Sequence, residues 1–185
     1  MRIISGSARG TKLYTLEGET TRPTLDSVKE SLFNIINNEI PNSIFLDLFS
    51  GSGAIGLEAA SRGAKKVILC EKNKNAIEII KKNIEKTHMK DKVELNQMSY
   101  EIFLKDKLKE KPNIIFIDPP YKTDYAKKSI EILLKDKKIT EDTLIIIETD
   151  EEERIKQEIE KLEIEIVDHR KYGRAHLIFV KYKKD

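Results

Sequence analysis

The residue types best suited to chemistry lie between Asp118 and Tyr121, in the sequence DPPY. Four apolar residues precede Asp118, which predicts that its carboxylate stands at the end of a buried strand. Pro119 and Pro120 stiffen the turn, so that Tyr121 projects from a fixed backbone. A carboxylate and a backbone carbonyl can accept the two protons of a nucleobase amine, while an aromatic ring stacks on the extruded base. The segment therefore predicts catalysis on such an amine, with Asp118 and the Pro119 carbonyl as acceptors and Tyr121 as the stacking platform.

A second segment, FLDLFSGSGAIG at residues 45–56, predicts a ligand site at the end of another strand. Gly51 and Gly53 let the backbone approach a ligand closely. The same spacing also fits a dinucleotide-binding turn, so the glycines alone leave a nicotinamide dehydrogenase open. The next predicted strand ends in Glu71, an acid placed to accept hydrogen bonds from ribose hydroxyls. Together with Asp47, this acid favours a ligand that carries an ammonium and a ribose over one that carries two phosphates.

The elements that must position these segments alternate between short Ile/Val/Leu-rich runs and longer runs of helical periodicity. This alternation is typical of a buried parallel sheet covered by helices, and the alternating tail predicts a terminal antiparallel hairpin. Residues 1–40 are predicted to form an N-terminal extension, a hairpin-like segment plus a helix with Thr24 as N-cap, and residues 41–185 the main part of a single domain. The predicted strands are 43–48, 66–70, 93–95, 113–117, 144–147, 163–168 and 175–181, and the predicted helices are 25–37, 54–62, 74–86, 100–108, 126–135 and 151–162.

Composition narrows the class of protein. With 185 residues, 39% of them apolar, the chain suits one domain with an ordinary core. No apolar run is long enough to span a bilayer, and no signal peptide is evident, which predicts a cytoplasmic protein. The single cysteine, Cys70, and the three histidines, His88, His169 and His176, show no metal-ligand spacing, which predicts catalysis without a metal.

The order of the glycine turn, the acid after the second strand and the DPPY loop resembles the class I S-adenosylmethionine-dependent methyltransferases. Over essentially the whole chain, further segments resemble the bacterial small-subunit ribosomal RNA guanine-N2 methyltransferase family: RIISG from residue 2, TRPT from 21, LFNI from 32, GLEA from 56, SRGA from 61 and YGR from 172. The resemblance implies a seven-stranded, mostly parallel Rossmann-like sheet ending in an antiparallel hairpin, with helices on both faces. It also implies methyl transfer to one guanine N2 of 16S rRNA, with S-adenosylhomocysteine as the by-product.

Carried over to this sequence, the resemblance implies a set of cofactor contacts around the glycine turn and a catalytic loop at residues 118–121. Where the family usually has an acid near the adenine amine, this chain has Ser99. Ser99 could accept the hydrogen bond or serve only as the N-cap of the next helix, and a weaker cofactor affinity is expected. The implied cofactor-binding residues are Asp47, Phe49, Gly51, Gly53, Glu71, Ser99 and Asp118.

Charge is nearly balanced, with 34 basic and 32 acidic side chains, so any RNA-binding surface must be local. Arginine is rare, and most arginines lie near the two ends of the chain, where a planar donor fork would suit phosphate groups. The acidic run 150–165 predicts a helix turned away from RNA. Tyr14, Tyr125 and Tyr182 are predicted to lie in no cluster that suggests an aromatic cage. The residues predicted to bind RNA are Arg9, Lys12, Arg22, Thr24 and Arg174.

Two other functions remain open at the level of sequence. A DPPY loop also serves adenine-N6 methylation of DNA, although the chain has little room for a separate domain that reads duplex DNA. A non-catalytic RNA-binding assembly factor could keep the fold, but the intact Asp118, Tyr121 and Asp47 disfavour it. A protein-glutamine methyltransferase is disfavoured because that branch usually has Asn in place of Asp118. A monomer is predicted, and the short chain predicts that the assembling small subunit, including its ribosomal proteins, supplies much of the specificity.

Overall fold

The computed structural model describes residues 1–16 and 23–183, with side chains from residue 26 onward in the second range. The strands are β1 Ile44–Asp47, β2 Lys66–Cys70, β3 Val93–Asn96, β4 Ile114–Ile117, β5 Leu144–Thr149, β6 Ile164–Tyr172 and β7 Ala175–Tyr182. The helices are α1 Pro23–Ile35, α2 Ala54–Ser61, α3 Lys74–Lys86, α4 Tyr100–Ile102, α5 Tyr125–Lys135 and α6 Glu152–Ile159. A 3₁₀ turn, Asn37–Glu39, follows α1, and a π-helical turn, Phe103–Lys107, continues α4.

These strands form one sheet in the order β3-β2-β1-β4-β5-β7-β6. Strands β1 to β5 pair in parallel, whereas β7 pairs antiparallel with both β5 and β6. The strand order reverses between β1 and β4, and ligands of such sheets bind beyond the carboxyl ends of the strands at this position. The topology confirms the class I methyltransferase fold and the terminal hairpin predicted from the sequence.

Two apolar cores cover the two faces of the sheet. Phe45 and Phe116 pack with α1, α2 and α3 on one face, whereas Leu46 and Ile115 pack with α4, α5 and α6 on the other. Neighbouring strand residues point to opposite faces, so a strand buried on both sides reads as a continuous apolar run. None of the helices in the described ranges is both long enough and apolar enough to cross a membrane.

The structure differs from the predicted helices at the start of α1 and within residues 100–108. Helix α1 begins at Pro23, so Thr24 lies within the first turn and the prediction that it is the N-cap is wrong. Proline suits the first helical position because its fixed φ matches the helix and its missing N–H would have no partner there. The segment predicted as one helix over 100–108 forms a short α-helix and then the wider π-helical turn.

The N-terminal segment, residues 1–16, is hairpin-like and is tied to α2. Arg2 and Lys12 pair as an antiparallel bridge. The carboxylate of Glu58, on α2, is fully buried and accepts two backbone N–H groups of the segment at 2.9 and 3.1 Å. Lys29 of α1 lies 3.2 Å from the same carboxylate, and burial lowers the pKa of this lysine. The buried ion pair therefore joins α1, α2 and the N-terminal segment.

Candidate active site

The glycine turn follows β1 directly. Gly51 and Gly53 have φ of 55° and 84°, a region that residues with a Cβ rarely adopt. The hydroxyl of Ser50 donates to the carbonyl of Asp47 at 2.8 Å and accepts the N–H of Cys70 at 3.1 Å, which ties the turn to β2. The backbone of the turn is therefore held open at the carboxyl edge of the sheet.

Asp47, the last residue of β1, is a buried carboxylate with unused hydrogen-bonding capacity. Its side chain is 1% exposed, and its Oδ1 has no hydrogen-bond partner among the described residues. Burial raises its pKa to about 7, and the nearby carboxylates of Glu71 and Glu148 add to the rise, while backbone N–H groups of Gly56 and Phe49 oppose it. A buried acceptor without a partner is costly, so this oxygen fits a cationic or N–H group of a ligand.

Glu71 follows β2 and turns back towards the glycine turn. One carboxylate oxygen accepts the N–H of Gly51 at 2.9 Å, and the other accepts the N–H groups of Lys72 and Asn73 at 2.9 and 3.2 Å. A carboxylate has about four acceptor positions, so capacity for ligand hydroxyls remains. The structure thus brings Asp47 and Glu71 to the two sides of one turn, as the sequence predicted.

Three aromatic rings lie beside this turn. The ring centroids of Phe49 and Tyr100 are 5.2 Å apart, those of Tyr100 and Tyr125 are 4.8 Å apart, and those of Phe49 and Tyr125 are 6.2 Å apart. Tyr125, predicted to lie in no cluster that suggests an aromatic cage, thus packs in a group of three aromatic rings that the sequence analysis did not foresee. Tyr100 and Tyr125 are the first residues of α4 and α5, and both helices begin beyond the carboxyl ends of strands. This shared position of the two tyrosines was the sequence signal from which the cluster could have been predicted.

Ser99 is the N-cap of α4. Its backbone is extended, and its hydroxyl oxygen accepts the N–H of Ile102 at 3.4 Å. One of the two roles considered from the sequence is thus seen directly. The capping bond leaves the hydroxyl proton free to point elsewhere, so a contact with a ligand stays a prediction.

Replacing Ser99 with aspartate is expected to tighten binding of S-adenosylmethionine about fivefold, because a hydrogen bond to a charged acceptor is stronger by about 1 kcal/mol. Aspartate is also a good N-cap, so the start of α4 should be kept. Ser99→Asn is the matched control, since it caps equally well without the charge. Calorimetric titration checks this. Equal affinities of Ser99→Asp and Ser99→Asn would contradict the prediction.

The DPPY loop stands at the carboxyl end of β4, beside β1. The two strands pair directly, and the backbone N–H of Leu48 donates to the carbonyl of Phe116 at 3.1 Å. Asp118 is exposed to solvent, and Tyr121 is 65% exposed with the Lys122 ammonium 5.4 Å from its ring centroid. The predicted catalytic loop and the predicted cofactor turn are therefore neighbours.

One hydrogen bond within the loop and one from α6 hold the far end of the DPPY loop. The hydroxyl of Thr123 donates to the carbonyl of Pro120 at 2.8 Å. Arg154 donates to the carbonyl of Thr123 at 3.0 Å and forms ion pairs at 2.6 Å with Glu151 and Glu158. These bonds fix the turn that presents the tyrosine.

A cleft of about 750 Å³ opens on the β5 side of the DPPY loop. Glu148, near the end of β5, lines it and was missed by the sequence analysis; burial raises its pKa, and a hydrogen bond with Asp118 opposes the rise. Asp150 and Glu151 also line the cleft, so the start of the acidic run lies beside the DPPY loop, and the orientation of the run away from RNA stays a prediction. The reason is that β5 continues to Thr149, which brings the first acids of the run to the carboxyl edge.

The predicted RNA-binding residues do not all come together. Arg174, in the turn between β6 and β7, lines the cleft. Arg9 and Lys12 are exposed on the N-terminal segment and are not among the residues that line the cleft. The residue before Arg9, Ala8, donates its backbone N–H to the hydroxyl of Ser61, at the end of α2. Arg22 lies outside the described residues, and the position of the Thr24 side chain is likewise not described.

Comparison with known proteins agrees with this geometry. The family described as Conserved hypothetical protein 95 matches residues 1–181. Ribosomal RNA small subunit methyltransferase D of Haemophilus influenzae is 37% identical over 154 residues, covering 82% of this chain and 80% of that protein. The protein of the same name from Escherichia coli is 36% identical, covering 82% of this chain and 76% of the relative.

Solved structures show the same likeness across the full length. A candidate methyltransferase from Escherichia coli has a TM-score of 0.82 at 26% identity, covering 100% of this chain and 99% of that one. A hypothetical protein from Thermus thermophilus has a TM-score of 0.79 at 29% identity, covering 98% and 99%. The resemblance predicted from the sequence is confirmed: the chain is a methyltransferase of the class I Rossmann-like fold, is similar to small-subunit ribosomal RNA methyltransferases, and belongs to the Conserved hypothetical protein 95 family.

Proposed function

We propose that this protein transfers a methyl group from S-adenosylmethionine to the exocyclic N2 of one guanine in 16S ribosomal RNA. The observation that carries the proposal is the pairing of β1 with β4, which sets the glycine turn beside the DPPY loop at one edge of the sheet. The names of the relatives support ribosomal RNA as the substrate. S-adenosylhomocysteine would be the product. The transfer would use the carboxylates and carbonyl of this loop, with no role for a metal.

The residues around the glycine turn fit S-adenosylmethionine, which supplies an electrophilic methyl group on its sulfonium when bound. The partnerless Oδ1 of Asp47 would accept the ammonium group of the cofactor. Glu71 would accept the ribose hydroxyls, and the backbone at Gly51 and Gly53 would allow close approach. Phe49, with its two neighbouring rings, would form the apolar wall, Ser99 would face the adenine amine, and Asp118 would close the site towards the substrate.

The DPPY loop would bind and orient the target base. The carboxylate of Asp118 and the carbonyl of Pro119 accept the two N–H groups of the guanine amine and orient its nitrogen lone pair. Pro120 keeps the turn rigid, and Tyr121 stacks on the extruded base, which its 65% exposure permits. The carboxyl groups of Asp118 and Glu148 share a hydrogen bond, which links the loop to β5.

The charge of the cleft suits a base better than a phosphate. Its acids would repel the RNA backbone, whereas an uncharged base can enter. Arg174, at the exposed hairpin turn, would hold a phosphate at the rim. Arg9, Lys12, Arg22 and Thr24 would contribute further RNA contacts outside the cleft.

Replacing Arg174 with alanine is expected to weaken RNA binding and to lower the slope of log affinity against log salt by about 1, because one phosphate contact is lost. Arg170→Ala is the matched control, since this exposed arginine lies on the same hairpin but pairs with Asp168 at 3.0 Å. Filter binding at several salt concentrations measures both. A slope that falls equally in the two variants would contradict the assignment of Arg174.

The proposed substrate is the assembling small subunit, with the protein acting as a monomer. Little of the chain lies outside the catalytic fold, so the folded RNA and bound ribosomal proteins would supply much of the specificity. Methylation of small-subunit particles and of protein-free 16S rRNA with labelled S-adenosylmethionine, followed by nucleoside analysis, tests this. N2-methylguanosine, formed faster in particles, is expected. N6-methyladenosine would overturn the guanine assignment, and no transfer to either RNA would indicate a non-catalytic assembly factor.

A further inference from the structure

Three potential metal ligands converge between α6 and the β6–β7 hairpin. Glu152 Oε2 lies 2.7 Å from His169 Nε2 and 3.0 Å from His176 Nδ1, and the two ring nitrogens are 2.9 Å apart. Glu152 is the first residue of α6, whereas the histidines lie on β6 and β7. Within residues 1–16 and 23–183 this is the group of His, Cys, Asp and Glu side chains whose ligand atoms come close enough to hold an ion.

Hydrogen bonds can satisfy at most two of the three sides of this triangle at once. Each neutral imidazole has one N–H, and a nitrogen that donates to one corner cannot also present a lone pair to another. Glu152 Oε2 is buried and, among the described residues, has no partner in hydrogen-bond geometry despite the two nearby nitrogens. A cation between the two ring nitrogens and the carboxylate oxygen would receive a lone pair from each of the three atoms.

We propose that Glu152, His169 and His176 bind a divalent transition-metal ion, with Zn²⁺ as the best match to two imidazole nitrogens and one carboxylate oxygen. Ligands about 2.0–2.1 Å from a tetrahedral zinc ion are about 3.3 Å from one another, so the observed spacings need to widen by about 0.3 to 0.6 Å. Water would be the fourth ligand. Burial lowers the pKa of His176, which keeps this histidine in the neutral, ligating form near pH 7.

Lys156 is the cation that would compete with the metal. Its Nζ lies 3.2 Å from His169 Nδ1 and 3.6 Å from Glu152 Oε2. Metal at Nε2 leaves a proton on Nδ1, so the ammonium would have to withdraw, which its one-third exposed side chain permits. Lys156→Gln should therefore tighten Zn²⁺ binding, because its amide oxygen can accept the Nδ1 proton without the repelling charge.

The proposed ion would link α6 to the β6–β7 hairpin through its three ligands. Glu151 precedes the ligand on α6, and Arg174 lies in the hairpin turn; both line the cleft beside the DPPY loop. The role is therefore to stiffen one wall of that cleft, and it does not depend on which base is methylated.

The test is calorimetric titration of metal-free protein with Zn²⁺, using wild type, Glu152→Gln, His169→Gln and Lys156→Gln. Wild type should bind one equivalent. Glu152→Gln and His169→Gln should each weaken binding about tenfold or more, and Lys156→Gln should strengthen it. His88→Asn is the matched control, since this exposed histidine has φ of 57°, which asparagine tolerates, and it should bind as wild type does.

Thermal unfolding gives a second readout that does not need equal stability of the variants. Zn²⁺ should raise the Tm of wild type and of His88→Asn, but not that of Glu152→Gln or His169→Gln. The proposal is overturned if wild type shows no saturable binding below about 100 µM Zn²⁺, or if both ligand variants bind with wild-type affinity.

Discussion

Replacing Asp118 with alanine is expected to slow methyl transfer about 100- to 1,000-fold, the usual cost of removing one group that stabilises the transition state. The loop projects from β4 and is held by the Thr123 hydroxyl and by Arg154, so its backbone should stay in place. Cofactor affinity should change far less, because Asp47 and Glu71 remain. Single-turnover rates with labelled cofactor, alongside calorimetric titration, separate the two effects. Undiminished transfer would remove Asp118 from the mechanism.

A second variant distinguishes two roles of the same carboxylate. Asp118→Asn keeps one oxygen that can accept an N–H from the base, but it cannot take up a proton at neutral pH. If Asp118 only orients the amine, this variant should keep more activity than Asp118→Ala; if it receives the proton, the two should be equally slow. Asp124→Asn is the matched control, because this exposed acid of the following turn pairs with the surface lysine Lys128 at 3.5 Å.

Replacing Asp47 with asparagine is expected to weaken cofactor binding about 30-fold or more, because truncating one side of a buried charge pair costs about 2 kcal/mol or more. Asparagine keeps an oxygen for the backbone N–H groups of Phe49 and Gly56, so the turn should survive. Below about pH 7 the wild-type carboxyl is protonated and must lose its proton to bind a cation. Wild-type affinity should therefore rise from pH 5.5 to about pH 7, whereas that of Asp47→Asn should not.

Without cofactor, Asp47 should make the folded protein less stable as pH rises, which is the opposite of the trend in cofactor affinity. The pKa of Asp47 is raised in the folded protein to about 7, from an ordinary value of 3.8. The folded state therefore holds this proton more tightly than the unfolded state, and the resulting stabilisation is lost as pH rises through about 7. From about pH 5.5 to about pH 8.5, wild type should lose about 2 kcal/mol of unfolding free energy relative to Asp47→Asn. Urea unfolding at both pH values measures this, and parallel pH dependence of the two proteins would contradict it.

Much of the fold was predictable because its signals are local. Buried strands appear as continuous apolar runs, and the predicted β2 and α3 match the structure at both ends. Errors arose at element ends, such as the start of α1 at Pro23, where a single residue type decides the boundary. The glycine turn and the DPPY loop were also recognisable, because strand, turn and functional residues are contiguous in each.

The sequence by itself determined the type of sheet, the turn at Gly51 and Gly53 and the identity of the acid at Asp118. Only the tertiary structure decided which other side chains these residues contact. The contact of Glu148 with Asp118 requires β5 to lie beside β4 and to end at the same edge. The convergence of Glu152 with the two histidines requires α6 to pack against the β6–β7 hairpin. Such contacts join segments that are distant in the chain, and strand pairing and the packing of helices on the sheet, which no local pattern encodes, bring them together.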